Sequence, residues 1–189
     1  VKNNYDENFV LNKIENKSEN KSTTSRKFKE DILRIFGTDY KDKTILELGC
    51  HRGNTTRVYS ECFKKVIAVE RDIVNFKKTK ENCSDVDNVE FINIDVYSND
   101  FKIPQVDVVH VDAGHTFQEV VYDIDRLVKI LDNPIFIFDD YGHEGKTVRD
   151  AINSKISDGT IKLVAHIGEG RGFMAANNKS FIGREGVIC

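Results

Sequence analysis

Thr44-Ile-Leu-Glu-Leu-Gly-Cys-His-Arg-Gly-Asn-Thr-Thr56 decides the fold. An apolar strand runs into a turn that carries Gly49 and Gly53, and a helix follows. Glycine, with no Cβ, lets backbone bend sharply and a ligand come close. The next apolar run, Lys65-Val-Ile-Ala-Val-Glu70, ends in an acid 21 residues after Gly49. A turn glycine followed about 20 residues later by an acid at the next strand end is how a doubly wound α/β fold holds an adenosine ribose. The stretch therefore predicts a nucleoside-containing ligand.

The turn also narrows which ligand. A dinucleotide site needs three glycines at G-x-G-x-x-G spacing to approach a pyrophosphate. Here Cys50-His51-Arg52 separates two glycines and no third follows. Glu47 stands beside the turn, where it repels phosphate and favours a cation. S-adenosylmethionine carries a sulfonium and an ammonium and no phosphate. The segment resembles motif I of class I methyltransferases, in the form E-[IL]-G-x-x-x-G. The plain alternative is a strand-turn-helix of an unrelated α/β protein.

Composition bounds the reading. A chain of 189 residues is enough for one α/β domain and short for two. It is 39% hydrophobic and 31% charged, as soluble globular proteins are. A net charge of −3 demands neither a nucleic acid nor an anionic membrane as partner. No apolar run approaches the roughly 18 residues of a membrane span. The amino end is polar and does not read as a secretory leader, and the missing initiator Met suggests a trimmed chain. Cys50, Cys62, Cys83 and Cys189 show no C-x-x-C spacing, so the expectation is a reduced, cytoplasmic protein.

Residues 1–25 are rich in Asn, Lys, Glu and Ser, with one apolar cluster at Phe9, Val10, Leu11 and Ile14. They read as a polar arm, either flexible or covering the active site, ahead of a single domain over 26–189. Within that domain strands and helices alternate. Helices are expected over 27–36, 54–63, 72–82, 117–131 and 146–156, and strands over 44–48, 65–70, 89–93, 106–112 and 135–139. Phe117, Val120, Val121, Ile124, Leu127, Val128 and Leu131 form the apolar stripe of the fourth helix. Thr116 and Glu119 make a capping box at its start. Residues 162–166 and short runs near Phe173 and Phe181 read as closing strands. Repeated β-α pairs with apolar strands imply a mostly parallel, doubly wound, Rossmann-like sheet with helices on both faces.

A second feature lies where two strands end. One end is Asp112-Ala-Gly-His115 and the other is Asp139-Asp140-Tyr141. Ligands of open α/β sheets sit beyond the carboxyl ends of the strands. If the two strands are neighbours, three carboxylates crowd one small region and raise one another's pKa. A divalent cation removes that conflict, and Mg²⁺ takes a few carboxylate oxygens plus waters or substrate oxygens.

Asp-x-x-His followed by Asp-Asp on the next strand resembles the metal-dependent O-methyltransferases. Catechol-type members carry Lys at the fourth position, and macrocin-type sugar O-methyltransferases carry His, here His115. Val111-Asp-Ala-Gly-His-Thr-Phe-Gln-Glu-Val, Phe138-Asp-Asp-Tyr141 and Thr147-Val-Arg-Asp-Ala-Ile152 extend the likeness over about residues 40–185. The resemblance implies a seven-stranded sheet with a carboxyl-terminal antiparallel hairpin. It implies that Gly49 and Gly53 let the backbone approach the methionine part of the cofactor, near Glu47, with Cys50, His51, Asn54 and Thr55 around it. Glu70 would hold the ribose hydroxyls, with Arg71 beside it, and Asp95 and Val96 the adenine. Asp112, near the cofactor, would hold Mg²⁺ with Asp139 and Asp140. His115 would be the general base, with His143 the second candidate. Family members often pair, so a homodimer is the corresponding expectation.

The chemistry suits these groups. A neutral hydroxyl is a poor nucleophile, and a bound cation lowers its pKa and fixes its direction. A histidine can then take the proton at neutral pH. A small molecule with adjacent oxygens, such as a vicinal diol, sugar or catechol, could chelate the ion. Rival readings are a metal-independent methyltransferase and a cofactor-binding module without catalysis. A nucleobase N-methyltransferase is disfavoured by Ala113-Gly114 where Pro-Pro would stand, and an NAD-dependent oxidoreductase by the missing third glycine. His110 and His166 read as structural, Gly168-Glu-Gly-Arg-Gly172 as a turn, and the lysines of 77–80 as a solvated helix face.

Overall fold

The computed structural model describes residue 11 and residues 24–143, 145–170 and 183–189. The elements run α1 (Arg26–Phe36), β1 (Thr44–Leu48), α2 (Asn54–Cys62), β2 (Lys65–Glu70), α3 (Ile73–Asn82), β3 (Val89–Asn93), β4 (Val108–Val111), α4 (Phe117–Ile130), β5 (Ile135–Phe138), α5 (Thr147–Ser157), β6 (Ala165–Ile167) and β7 (Gly186–Ile188). One seven-stranded sheet has the order β3-β2-β1-β4-β5-β7-β6. The first five strands are parallel. β7 runs antiparallel to both β5 and β6 and makes the expected closing hairpin.

The central strands are short runs of Val, Ile and Leu because both their faces are covered. Leu46, Leu48, Val109, Val111, Phe136 and Phe138 face a core shared with Val120, Ile124 and Leu127 of α4 and Ala151 and Ile152 of α5. Ile45, Val66, Val108 and Ile137 face the opposite way, onto Phe28, Ile32 and Phe36 of α1 and Val58 and Tyr59 of α2. Leu11 is helical and fully buried in this second cluster. Of the rest of the expected arm, Thr24 and Ser25 are buried, and residues 1–10 and 12–23 lie outside the described residues.

Helix ends follow from local chemistry. Ser25 caps α1 by accepting from the Phe28 amide at 3.0 Å. Asp72 caps α3 through the Val74 and Asn75 amides. The Thr116–Glu119 capping box starts α4 as expected. Phe117 is the exception in its stripe, 38% exposed, because the first residue of α4 overhangs the rim of the sheet. β4 is shorter than the expected 106–112, although the Asp107 backbone still bonds to Thr44 and Ile135 on either side and its carboxylate accepts the Thr44 amide at 2.8 Å. The final strand, β7, falls where no strand is expected: three residues carry too little pattern to read. The runs near Phe173 and Phe181 lie outside the described residues.

The order of the strands positions the site. From β1 the chain winds one way through β2 and β3, then returns to β4 on the other side of β1. The crevice at such a switch point is where open α/β sheets bind ligands. In register, Leu48 pairs Val111, and Val111 pairs Phe138. Gly49, Asp112 and Asp139 therefore leave the sheet side by side.

Candidate active site

A cavity of about 450 Å³ opens at this switch point. Its lining includes Glu47, Gly49, Cys50, His51, Asn54 and Thr55 from the first turn and helix. Glu70 and Arg71 line it from the end of β2, Asp95 and Val96 from the turn after β3, and Asp112, His115 and Asp139 from the far side. Of the expected cofactor residues, only Gly53 stays outside the lining. Thr24, Arg52, Asp72, Asn75, Tyr97 and Ala113 join it without having been expected.

The two glycines serve different neighbours. Gly49 has φ +88°, and a Cβ there would stand 2.8 Å from the Asp112 carbonyl carbon and 3.0 Å from the Ala113 Cα. The glycine is needed so that the turn can lie against the loop that carries Asp112. At Gly53, with φ +79°, a Cβ would stand 2.8 Å from the Thr79 methyl and 3.2 Å from the Cys83 sulfur. That glycine serves the packing of α2 on α3, not the approach of a ligand. Gly53 also opens α2 with no side-chain cap, and uncapped first-turn amides suit an anionic group.

Glu70 organises the turn. One carboxylate oxygen accepts the His51 amide and the other the Asp72 amide, each at 2.8 Å. Each oxygen keeps further acceptor capacity, which a ribose diol can use. Asp95 accepts the Tyr97 amide at 2.9 Å, and its other oxygen lies 3.7 Å from Arg71. Thr24 reaches the cavity from the start of α1, its hydroxyl 3.1 Å from that of Thr55.

Glu47 sits deep. It is 1% exposed, accepts the Thr56 hydroxyl at 2.6 Å and lies 3.6 Å from His110 Nδ1. His110 is buried in the sheet, while His166 on β6 is exposed. Burial pushes the Tyr59 phenol well above its ordinary range, and the charges of Glu47, Asp112 and Asp139 push it further. Burial likewise raises the Cys50 thiol, with Glu47 adding to it. The end of the cavity near Glu47 and Asp112 is thus electrically negative, which suits a cationic ligand.

On the other side of Asp112 a second group converges. His115 Nε2 lies 3.2 Å from Asp112 Oδ1 and 3.3 Å from Asp140 Oδ2. One potential ligand atom from each of the three residues lies within 4.8 Å of the others. Asp140 reaches this point from a left-handed backbone, φ 55°, which Asp tolerates better than most residues. Asp139 lines the cavity, and its Oδ1 accepts the Asp140 amide at 2.6 Å. Thr147 at the start of α5 holds the His115 carbonyl at 2.7 Å. His143 is not brought to the cavity; its Nδ1 accepts the Gly145 amide at 3.2 Å. Two carboxylates and an imidazole at this spacing fit a divalent cation with open positions for oxygen ligands.

Some of the unexpected lining residues had a readable position. Asp72 and Asn75 open the helix after Glu70, and Tyr97 follows Asp95 by two. Thr24 lies in the stretch read as either flexible or covering the active site, and the tertiary fold carries it to Thr55.

No family model matches the sequence. A curated relative is the tRNA/tmRNA (uracil-C(5))-methyltransferase of a Nitratiruptor species, 30% identical over 126 residues. The match takes in 54% of this chain and 35% of the relative, so the chain spans about a third of the length of the protein it matches. Among solved structures, the methyltransferase PaMTH1 of Podospora anserina, with S-adenosylhomocysteine bound, has a TM-score of 0.64 at 14% identity, covering 84% of this chain and 81% of that one. A Klebsiella pneumoniae protein provisionally assigned as an O-methyltransferase has a TM-score of 0.61 at 15% identity, covering 96% and 87%. The chain has the fold of the class I S-adenosylmethionine-dependent methyltransferases.

Proposed function

We propose that this chain transfers a methyl group from S-adenosylmethionine to a hydroxyl of a small molecule, assisted by a divalent cation. One observation carries the reading: Asp112 and His115 belong both to the nucleoside-sized cavity and to the carboxylate–imidazole cluster at its rim. The groups able to activate an acceptor stand where a bound donor would end.

In this reading Glu70 holds the ribose hydroxyls. The uncapped start of α2 faces the cofactor carboxylate, and the negative field from Glu47 and Asp112 favours its cationic groups. Asp112 and Asp140 would hold the cation, Mg²⁺ or Mn²⁺, and Asp139, expected as a third ligand, instead uses one carboxylate oxygen to accept the Asp140 amide. When bound, the ion acidifies and orients the acceptor hydroxyl. His115 takes the proton. Its Nε2 lies within reach of both carboxylates, so that one nitrogen either ligates the ion or accepts the proton, not both at once. An acceptor with two adjacent oxygens, a vicinal diol or sugar, fits such a centre. Among the described residues no helix is long and apolar enough to cross a membrane.

The chemistry of the curated relative finds less support here. Carbon 5 of a uracil becomes nucleophilic only after a nucleophile, such as a thiolate, adds to the ring. Of the four buried cysteines only Cys50 lines the cavity, and burial, with Glu47 adding to it, pushes its thiol well above the ordinary range.

Thermal unfolding tests the reading. S-adenosylhomocysteine at 100 times its dissociation constant is expected to stabilise by about 2.7 kcal/mol, or roughly 5–11 °C. Glu70→Ala should abolish the shift, and NADH should give none. Adding MnCl₂ should raise the midpoint further, an increment lost with EDTA or in Asp140→Asn while the S-adenosylhomocysteine shift persists. No shift with S-adenosylhomocysteine would end the proposal. A shift without a cation increment would leave a metal-independent methyltransferase.

A further inference from the structure

One wall of the cavity is not held by the sheet. β3 ends at Asn93, β4 begins at Val108, and the connection between them carries Asp95, Val96 and Tyr97 into the lining. At the cavity the turn is closed by the Asp95 side chain accepting the Tyr97 amide and the Asp95 carbonyl accepting the Ser98 amide, each at 2.9 Å; its other internal bonds lie further on, among Ser98, Asn99, Asp100, Phe101 and Lys102. Its tethers come from α4. Arg126 Nη1 donates to the Val96 carbonyl at 2.6 Å. The Tyr97 hydroxyl donates to Asp123 Oδ2 at 3.1 Å. Arg126 Nη2 stands 2.7 Å from Asp123 Oδ1, though off the N–H axis, so the pair acts through charge more than through an aligned bond. The guanidinium lies over the rings of Tyr97 and Tyr122, at 5.4 and 5.2 Å from their centres. Asp123 is completely buried, and neither it nor Arg126 lines the cavity. The same assembly abuts the opposite wall. A Cβ on Gly114 would collide with the Tyr97 hydroxyl and stand 2.6 Å from the Glu119 Cβ.

We propose that Asp123 and Arg126 are positioning residues for the adenine end of the bound cofactor, acting through Val96 and Tyr97 without touching the ligand. The proposal rests on reading the cavity as an S-adenosylmethionine site. Val96 is also anchored by burial in the core under the sheet, but the polar tethers that fix the backbone of Val96 and the ring of Tyr97 come from one ion pair on α4, whose carboxylate is fully buried and whose guanidinium is nearly so.

The charge of the clamp sets its working range. The titratable and charged groups facing Asp123 are Arg126 and Glu119 on its own helix and Tyr97 from the turn. Burial pushes its carboxyl up to about 6, against the pull of Arg126 and the Tyr97 hydroxyl, with Glu119 pushing the same way as burial. Burial and Asp123 push the Tyr97 phenol well above its ordinary range, so it remains a donor throughout. At pH 7.5 the carboxylate is charged and holds both partners. At pH 5 it is protonated and the attraction to Arg126 is gone.

Calorimetric titration with S-adenosylhomocysteine, and separately with adenosine, tests this on the full chain at pH 7.5 and pH 5. Wild type is expected to bind more weakly at pH 5. Tyr97→Phe keeps the ring and removes the tether, and should weaken both ligands at pH 7.5 by the same factor, roughly 3–10-fold. Asp123→Asn should bind weakly at both pH values and lose most of the pH dependence. If both variants match wild type in affinity and pH profile while wild type binds well, the clamp is refuted and the cofactor site stands. If wild type binds neither ligand, the cofactor reading falls and the clamp with it. Should Asp123→Asn fail to fold by circular dichroism, Tyr97→Phe decides alone: an unchanged affinity refutes the clamp.

Discussion

Gly49→Ala and Gly159→Ala form a matched pair. Both residues have positive φ, +88° and +82°, so each alanine incurs a left-handed backbone penalty, of about 1–2 kcal/mol. The gain from a stiffer unfolded chain is common to both and cancels in the comparison. Their surroundings differ. A Cβ at Gly159, just past the end of α5, meets nothing within 4 Å. A Cβ at Gly49 meets the backbone of Asp112 and Ala113 at 2.8 and 3.0 Å, and backbone cannot rotate aside. Overpacking of that kind adds about 1–3 kcal/mol. Gly159→Ala is therefore expected to lose about 1–2 kcal/mol and Gly49→Ala about 2–5 kcal/mol. In a protein of this size each kcal/mol moves the midpoint by about 2–4 °C. Urea unfolding followed by far-UV circular dichroism measures the difference, and titration with S-adenosylhomocysteine measures the site. Gly159→Ala should bind as wild type does. Gly49→Ala should bind at least roughly tenfold more weakly, because relief of the clash moves the turn or the Asp112 loop. Two variants equal within about 0.5 kcal/mol, with equal affinities, would show that the β1 turn does not need its close approach to β4.

Asp123 also links stability to pH. Its carboxyl is raised from 3.8 to about 6, so between those values the folded state holds a proton that the unfolded state has released. Stability from this group is present below pH 3.8 and lost as pH rises through about 6, a change of about 3 kcal/mol. Urea unfolding should therefore place wild type and Asp123→Asn closer together at pH 4 than at pH 7, and a constant gap between them would contradict the assignment. The four buried thiols should react with an aromatic disulfide reagent only on unfolding. A thiol that reacts within seconds in the native protein would show that its cover opens.

Sequence carried the fold where pattern is local. β1, β2 and β3 were readable to the residue, because each is an apolar run bounded by polar turn residues. The capping box fixed the start of α4. The run over 162–166 read as a closing strand, and β6 falls at its end, over Ala165–Ile167; β7 has three residues, too few to show a period, and is a strand because it pairs with β5 on one side and β6 on the other. The site was legible in its types more than in its geometry. Gly49 and Glu70 follow from strand-turn spacing. That Gly53 answers to Thr79 and Cys83 depends on how α3 lies on α2, which spacing does not encode. Asp139 and Asp140 looked equivalent in the chain. Neighbouring residues leave a strand in opposite directions, and the left-handed turn at Asp140 brings that carboxylate, together with Asp112, to His115. Asp123 and Arg126 carry no local signal in the sequence, because their partners Tyr97 and Val96 lie on the turn after β3 and only the tertiary fold brings the two together.

The interior place of β7 has a kinetic consequence. Ribosomes deliver β6 before the strand it leans on, so β6 must wait while β5 presents a bare flank of amides and carbonyls. An unpaired strand of that kind invites pairing with another nascent chain. Insertion of β7 covers that flank and gives β6 its partner in the same step, so the exposure of β5 ends only when β7 docks.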